Sequence, residues 1–107
     1  MKFGLSSETI EKMNNVFSEF DSIEKVIIYG SRVKGNFRPG SDIDLTIEGK
    51  DLSLSGMSEI NLKLDDLLLP YLIDLSIKNK ITKKELLEHI DRVGKLFYSS
   101  NPSSAEE

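Results

Sequence analysis

Residues 29–47 read YGSRVKGNFRPGSDIDLTI: a Gly-Ser pair, ten residues, then Asp-x-Asp inside an alternating segment. Successive side chains of an extended chain point to opposite faces, so Asp42, Asp44, Thr46 and Glu48 share one face and Ile43, Leu45 and Ile47 the other. The apolar set can pack on a core while the acidic set stays wet. Like charges on one face repel, and a divalent cation is the obvious reason to keep them together. Gly30 lets a backbone approach a phosphate closely. Ser31 can offer its hydroxyl and N–H at the first turn of a helix, where the dipole favours anions.

Working outward, 107 residues make one domain with a modest core, too small for a catalytic domain plus a separate substrate domain. The balance of 30% charged and 38% apolar residues is that of an ordinary soluble protein. No apolar run is long enough to span a bilayer, and no basic segment followed by an apolar run opens the chain, so a cytoplasmic protein without a membrane partner is expected. With no cysteine, disulfides, thiolate metal sites and a cysteine nucleophile are excluded, and the single His89 excludes a multi-histidine zinc site. A net charge of −4 argues against direct nucleic-acid binding. Lys78, Lys80, Lys83 and Lys84 read as a solvated surface, whereas Arg32, Lys34 and Arg38 lie inside the motif.

Periodicity predicts a first helix from about Ser7 to Phe20, capped by Ser6, with Leu5 and Ile10 as a hydrophobic staple. Lys25 to Tyr29 suits a strand covered on both faces. Gly30 ends it, and Ser31 to Lys34 form a short helical turn. Arg38-Pro39-Gly40-Ser41 is turn chemistry before the strand Asp42 to Glu48. A helix from near Ser55 to Leu68, a strand from Tyr71 to Ile77 and a last helix stopping at Gly94 follow, with Thr82 and Glu85 at capping-box spacing. Leu96 to Tyr98 add an edge strand. One domain over residues 1–98 and a polar, disordered tail over 99–107 are predicted. The fold class is α/β (α+β): a small mixed sheet, helices mainly on one face, acids on the other.

Asp74 is a lone acid in an otherwise apolar strand. If strands 42–48 and 71–77 are neighbours, its carboxylate can join Asp42 and Asp44 as a third metal ligand. Three carboxylates beside a glycine loop would bind Mg²⁺ together with a triphosphate, and two such ions can serve an in-line displacement. Each feature alone has a blander explanation: Asp-x-Asp a solvated strand face, Gly-Ser a turn, Asp74 a solvent-facing acid. Jointly, at fixed spacing and on matching faces, they favour catalysis. Arg38 can reach a phosphate or make a loop salt bridge; Arg32 can contact nucleotide or brace the acidic site. His89, near the last helix's apolar stripe, reads as structural or exposed. Phe17, Phe20 and Phe97 read as core.

Gly30-Ser31, the ten-residue spacing, Asp42-x-Asp44 and the later Asp74 resemble the signature of the nucleotidyltransferase superfold shared with DNA polymerase beta. More closely, GSRVKGNFRPGSDIDL resembles the minimal nucleotidyltransferases (MNT) encoded beside a helical HEPN-type partner. The resemblance implies transfer of AMP from ATP with release of pyrophosphate. It implies that Asp42 and Asp44 hold the Mg²⁺ carrying the nucleotide, and that Asp74 completes a second ion site and helps deprotonate the acceptor. It also implies a HEPN-type toxin as partner, its tyrosine hydroxyl receiving AMP; a homodimer and a heterotetramer are both compatible with the sequence. A small-molecule nucleotidyltransferase with its acceptor site at an oligomer interface, and a non-catalytic antitoxin acting by complex formation, stay open as alternatives.

Overall fold

The computed structural model describes residues 2–38 and 40–100. Ser6 starts α1 (Ser7–Phe17), its side chain accepting the Thr9 N–H at 3.1 Å. The helix stops three residues before its apolar spacing does, because the N–H groups of Glu19 and Phe20 close onto the Val16 and Phe17 carbonyls in tighter turns. Phe20 nevertheless packs against the core. The chain continues through β1 (Ile23–Tyr29), the single turn α2 (Ser31–Lys34), β2 (Ile43–Gly49), α3 (Leu54–Asp65), β3 (Ile73–Ile77), α4 (Lys84–Val93) and β4 (Lys95–Ser99).

The four strands form one mixed sheet in the order β3-β2-β1-β4. β1 is antiparallel to both of its neighbours; β2 and β3 are parallel, joined by the α3 crossover. Val26 and Ile28 of β1 and Ile43, Leu45 and Ile47 of β2 are fully buried in one cluster with Met13 and Phe17 of α1 and Ile60 and Leu64 of α3. Phe97 of β4 joins them, edge-on to Phe17 with ring centroids 6.3 Å apart. The Ile-Asp-Leu-Thr-Ile alternation of β2 therefore commits Asp44 and Thr46 to the opposite face.

That second face is not wet throughout, as the alternation alone predicted. Thr46 is fully buried, and its hydroxyl is satisfied by the Ser76 hydroxyl at 3.0 Å. The reason is α4, whose apolar stripe needs a surface: Ile90 is buried, and a Cβ on Gly94 would collide with Ile27. Lys78, at the end of β3, reaches Asp91 of α4 at 3.1 Å and Glu48 of β2 at 3.5 Å. Helices thus lie mainly on one face, with α4 as the exception. The capping box expected for α4 is absent: Lys83 holds the cap position without a side-chain bond, one residue beyond Thr82. Ser99 pairs with Lys25 in the sheet, and the Ser100 N–H donates to the Glu24 carbonyl, so these two residues of the expected tail belong to the fold; residues 101–107 lie outside the described residues. Among the described residues no helix is long and apolar enough to cross a membrane.

Candidate active site

The site lies where three strand ends meet on the uncovered part of the second face. Register pairs Tyr29 of β1 with Asp44 of β2, and Asp44 with Asp74 of β3. In a parallel ladder, paired residues point the same way, so Asp44 and Asp74 are side by side. Asp42 stands one residue before β2, on the same parity as Asp44 and exposed. Thus the neighbouring strands that the reading of Asp74 required are present.

The electrostatics follow from this crowding. The Asp44 carboxyl is pushed above its ordinary pKa, first by partial burial, then by the charges of Asp74 and Asp42, with His89 working in the opposite sense. The Tyr29 phenol is likewise pushed up, chiefly by burial, with Asp74 and Asp44 adding to the shift and Ser76 opposing it. Among the described residues no group of three or more acidic, histidine or cysteine side chains is placed to hold a metal ion. What the face holds is uncompensated negative charge on hard oxygen donors. A divalent cation of the Mg²⁺ kind fits that donor set, since it would relieve the repulsion that raises Asp44.

Gly30 follows directly from β1 with φ +82°, a conformation that L side chains rarely adopt. A Cβ there would collide with the Asp44 carboxylate. Glycine is therefore required twice over, by the backbone and by the acid that it abuts. The Val33 and Lys34 N–H groups close onto the Gly30 carbonyl, forming α2 and setting Ser31 at its first position beside Asp44. Because α2 is one turn long, any anion affinity here comes from local N–H and hydroxyl groups rather than from a summed helix dipole.

The family described as polymerase beta, nucleotidyltransferase matches residues 11–103. The chain belongs to the polymerase beta nucleotidyltransferase family. No curated protein sequence matches this nucleotidyltransferase. Its fold is similar to that of solved toxin–antitoxin structures. A crystal structure of a toxin–antitoxin with AMP-PNP matches with TM-score 0.69 and 21% identity, over 95% of this chain and 79% of that one. A structure of a tri-AMPylated Shewanella oneidensis HEPN toxin in complex with MNT antitoxin gives TM-score 0.66 and 17% identity, over 95% and 78%. An MntA–HepT structure gives TM-score 0.66 and 17% identity, over 94% and 78%.

Of the remaining residues that the sequence singled out, Arg32 is placed differently from a phosphate ligand. Arg32 is 3% exposed and its guanidinium donates to the Ser41 and Phe3 carbonyls, so of its two readings the brace is the one that its position supports. Arg38 is exposed in the loop, its backbone N–H donating to the Ser41 hydroxyl at 2.8 Å. His89 packs its ring edge-on against Tyr29 at 6.1 Å, and its charge acts on Asp44. Tyr29 and Ser76 also belong to the site's surroundings. Strand parity signals both, since Ser76 shares a face with Asp74, and Tyr29 is the register partner of Asp44 on that same face. His89 carried no such signal, because nothing in the sequence says which sheet face α4 covers.

Proposed function

We propose that this nucleotidyltransferase transfers AMP from ATP to a tyrosine hydroxyl on a HEPN-type helical toxin, and so acts as its antitoxin. The observation that carries the chemistry is the in-register pair Asp44–Asp74, with Asp42 beside it and the Gly30–Ser31 turn against it. Support for the acceptor comes from the MNT antitoxin bound to a tri-AMPylated HEPN toxin, whose fold this chain shares. Support for the donor comes from the toxin–antitoxin structure with AMP-PNP.

Gly30 and Ser31 seat the phosphates, the first by leaving room and the second by donating. Asp42 and Asp44 would hold the Mg²⁺ that accompanies the triphosphate, and Asp74 would complete a second ion site. When bound, Mg²⁺ neutralises charge on the triphosphate and lowers the cost of forming an acceptor oxyanion. The acceptor oxygen attacks the α-phosphorus in line, the bond to the bridging oxygen of pyrophosphate breaks, and Asp74 takes the hydroxyl proton. No covalent intermediate on the protein is needed, since such transfers depend on positioning and charge compensation. Asp74 suits the acceptor side because β3 is an edge strand and its carboxylate is exposed.

The test is the intact mass of a HEPN-type toxin incubated with this protein, ATP and Mg²⁺. Mass gains of one or more AMP units, absent with Asp44→Ala, support the proposal. A tight complex without mass gain would mean neutralisation by binding alone, and turnover without any protein partner would point to a small-molecule acceptor.

A further inference from the structure

One buried side chain bridges the loop before Asp42, the amino-terminal turn and the approach to β3. Arg32 directly follows Ser31, and its Nε and Nη2 both donate to the Ser41 carbonyl, at 3.2 and 2.8 Å. Ser41 immediately precedes Asp42. Nη1 donates to the Phe3 carbonyl at 2.9 Å, anchoring the same group to the amino-terminal turn. The guanidinium lies over two rings, with Cζ 5.1 Å from the centre of Phe37 and 4.8 Å from that of Tyr71. Tyr71 stands three residues before Asp74.

Asp42 needs such a support. It lies outside the β2 ladder, at the end of a loop containing Gly40 at φ +85°. Its nearest fixed points are the Ile43 N–H bond to the Leu72 carbonyl at 2.8 Å and the Ser41 N–H bond to Arg38 at 2.9 Å. The first holds the residue after Asp42 to the β3 approach; the Arg32 fork ties the preceding carbonyl to the turn that carries Ser31. Arg32 is buried and its guanidinium lies against two aromatic faces, shielded from water, so its bonds are strong and its geometry fixed.

We infer that Arg32 is a positioning residue for nucleotidyl transfer: its clamp on the Ser41 carbonyl and the Tyr71 ring fixes Asp42 and the β3 approach relative to the Gly30–Ser31 turn. This rests on the nucleotidyltransferase reading above. A lysine keeps the charge but has no planar fork to hold one carbonyl twice or to stack on both rings. Arg32→Lys therefore tests geometry with charge held constant.

The experiment measures binding of Mg²⁺ with α,β-methylene-ATP, which cannot be cleaved at the bond that the reaction breaks, by calorimetry on the full chain. Circular dichroism checks the fold. Folded Arg32→Lys is expected to bind about 10-fold more weakly or worse, as for other residues that orient metal ligands. Its transfer rate should recover as Mg²⁺ is raised, which general loss of stability would not produce. Tyr71→Leu, which removes one ring and leaves the fork, should weaken binding in the same direction but less. If Arg32→Lys fails to fold, Tyr71→Leu decides: weakened binding supports the clamp, unchanged binding overturns it. Folded Arg32→Lys with wild-type binding and the wild-type Mg²⁺ requirement overturns the clamp alone. A wild type that does not bind the Mg²⁺–analogue pair overturns the nucleotidyltransferase reading, and the clamp with it.

Discussion

Replacing Asp44 by asparagine should inactivate the protein while making its fold more stable. Asp44 and Asp74 are register partners on adjacent strands, and strand spacing puts their carboxylates about 5 Å apart. Two unit charges at that separation repel by ~0.8 kcal/mol in water and by ~3 kcal/mol at an effective dielectric constant of 20. Asp74 is exposed and Asp44 only partly buried, so solvent screening favours the low end, about 0.5–1 kcal/mol. For a domain of this size that is a rise in Tm of ~2–8 °C. The pH dependence identifies the cause. Because the folded state raises the Asp44 pKa, it holds that proton more tightly than the unfolded chain does. The associated stability is fully present below the ordinary carboxyl range and is lost as pH rises through the raised pKa. Asp44→Asn should therefore gain Tm at pH 7 and gain little in acid. Thermal melts of both proteins across that range, with and without millimolar Mg²⁺, provide the measurement. The cation should raise the wild-type Tm more than that of the variant. A variant that melts well below wild type at pH 7, or whose advantage is the same in acid, would refute the repulsion argument.

Other consequences can be checked separately. Gly30→Ala should cost about 1–3 kcal/mol in urea denaturation, since it strains a positive φ and drives a methyl into Asp44; an unchanged midpoint would mean that the turn is not built as described. His89→Ala removes an interaction that lowers the Asp44 pKa, so an NMR titration of the Asp44 carboxyl should move upward. The same substitution should cost up to about 1 kcal/mol by losing the edge-on contact with Tyr29. Chelation by EDTA should stop AMP transfer and added Mg²⁺ restore it, read as the intact mass of the acceptor protein. Transfer that persists in EDTA would count against the carboxylate face as a cation site.

How much of this was legible beforehand depends on whether a residue's position is fixed by its neighbours in sequence. The Asp42–Asp44 spacing, the face opposite Ile43 and Leu45, the glycine before Ser31 and the cap at Ser6 were readable, because strand parity and turn chemistry act over a few residues. The α4 cap was misassigned because Thr82 and Glu85 matched a local pattern while the 3₁₀ turn at Lys78–Lys80 displaced the helix start. The burial of Thr46 was missed since it depends on α4, packed from forty residues away.

The sequence by itself determined that Asp42 and Asp44 would share a parity opposite Ile43 and Leu45, and that a glycine turn would follow β1, since backbone alternation and turn chemistry act locally. Only the tertiary structure decided that Asp74 pairs with Asp44, that Arg32 turns inward to hold the Ser41 carbonyl, and that His89 overlooks the acids. The first arises from the parallel β2–β3 register, the second from the packing of the loop and the amino-terminal turn around Arg32, and the third from the side on which α4 packs. All three are settled by burying apolar surface across the whole chain, a summed free energy that no local stretch encodes.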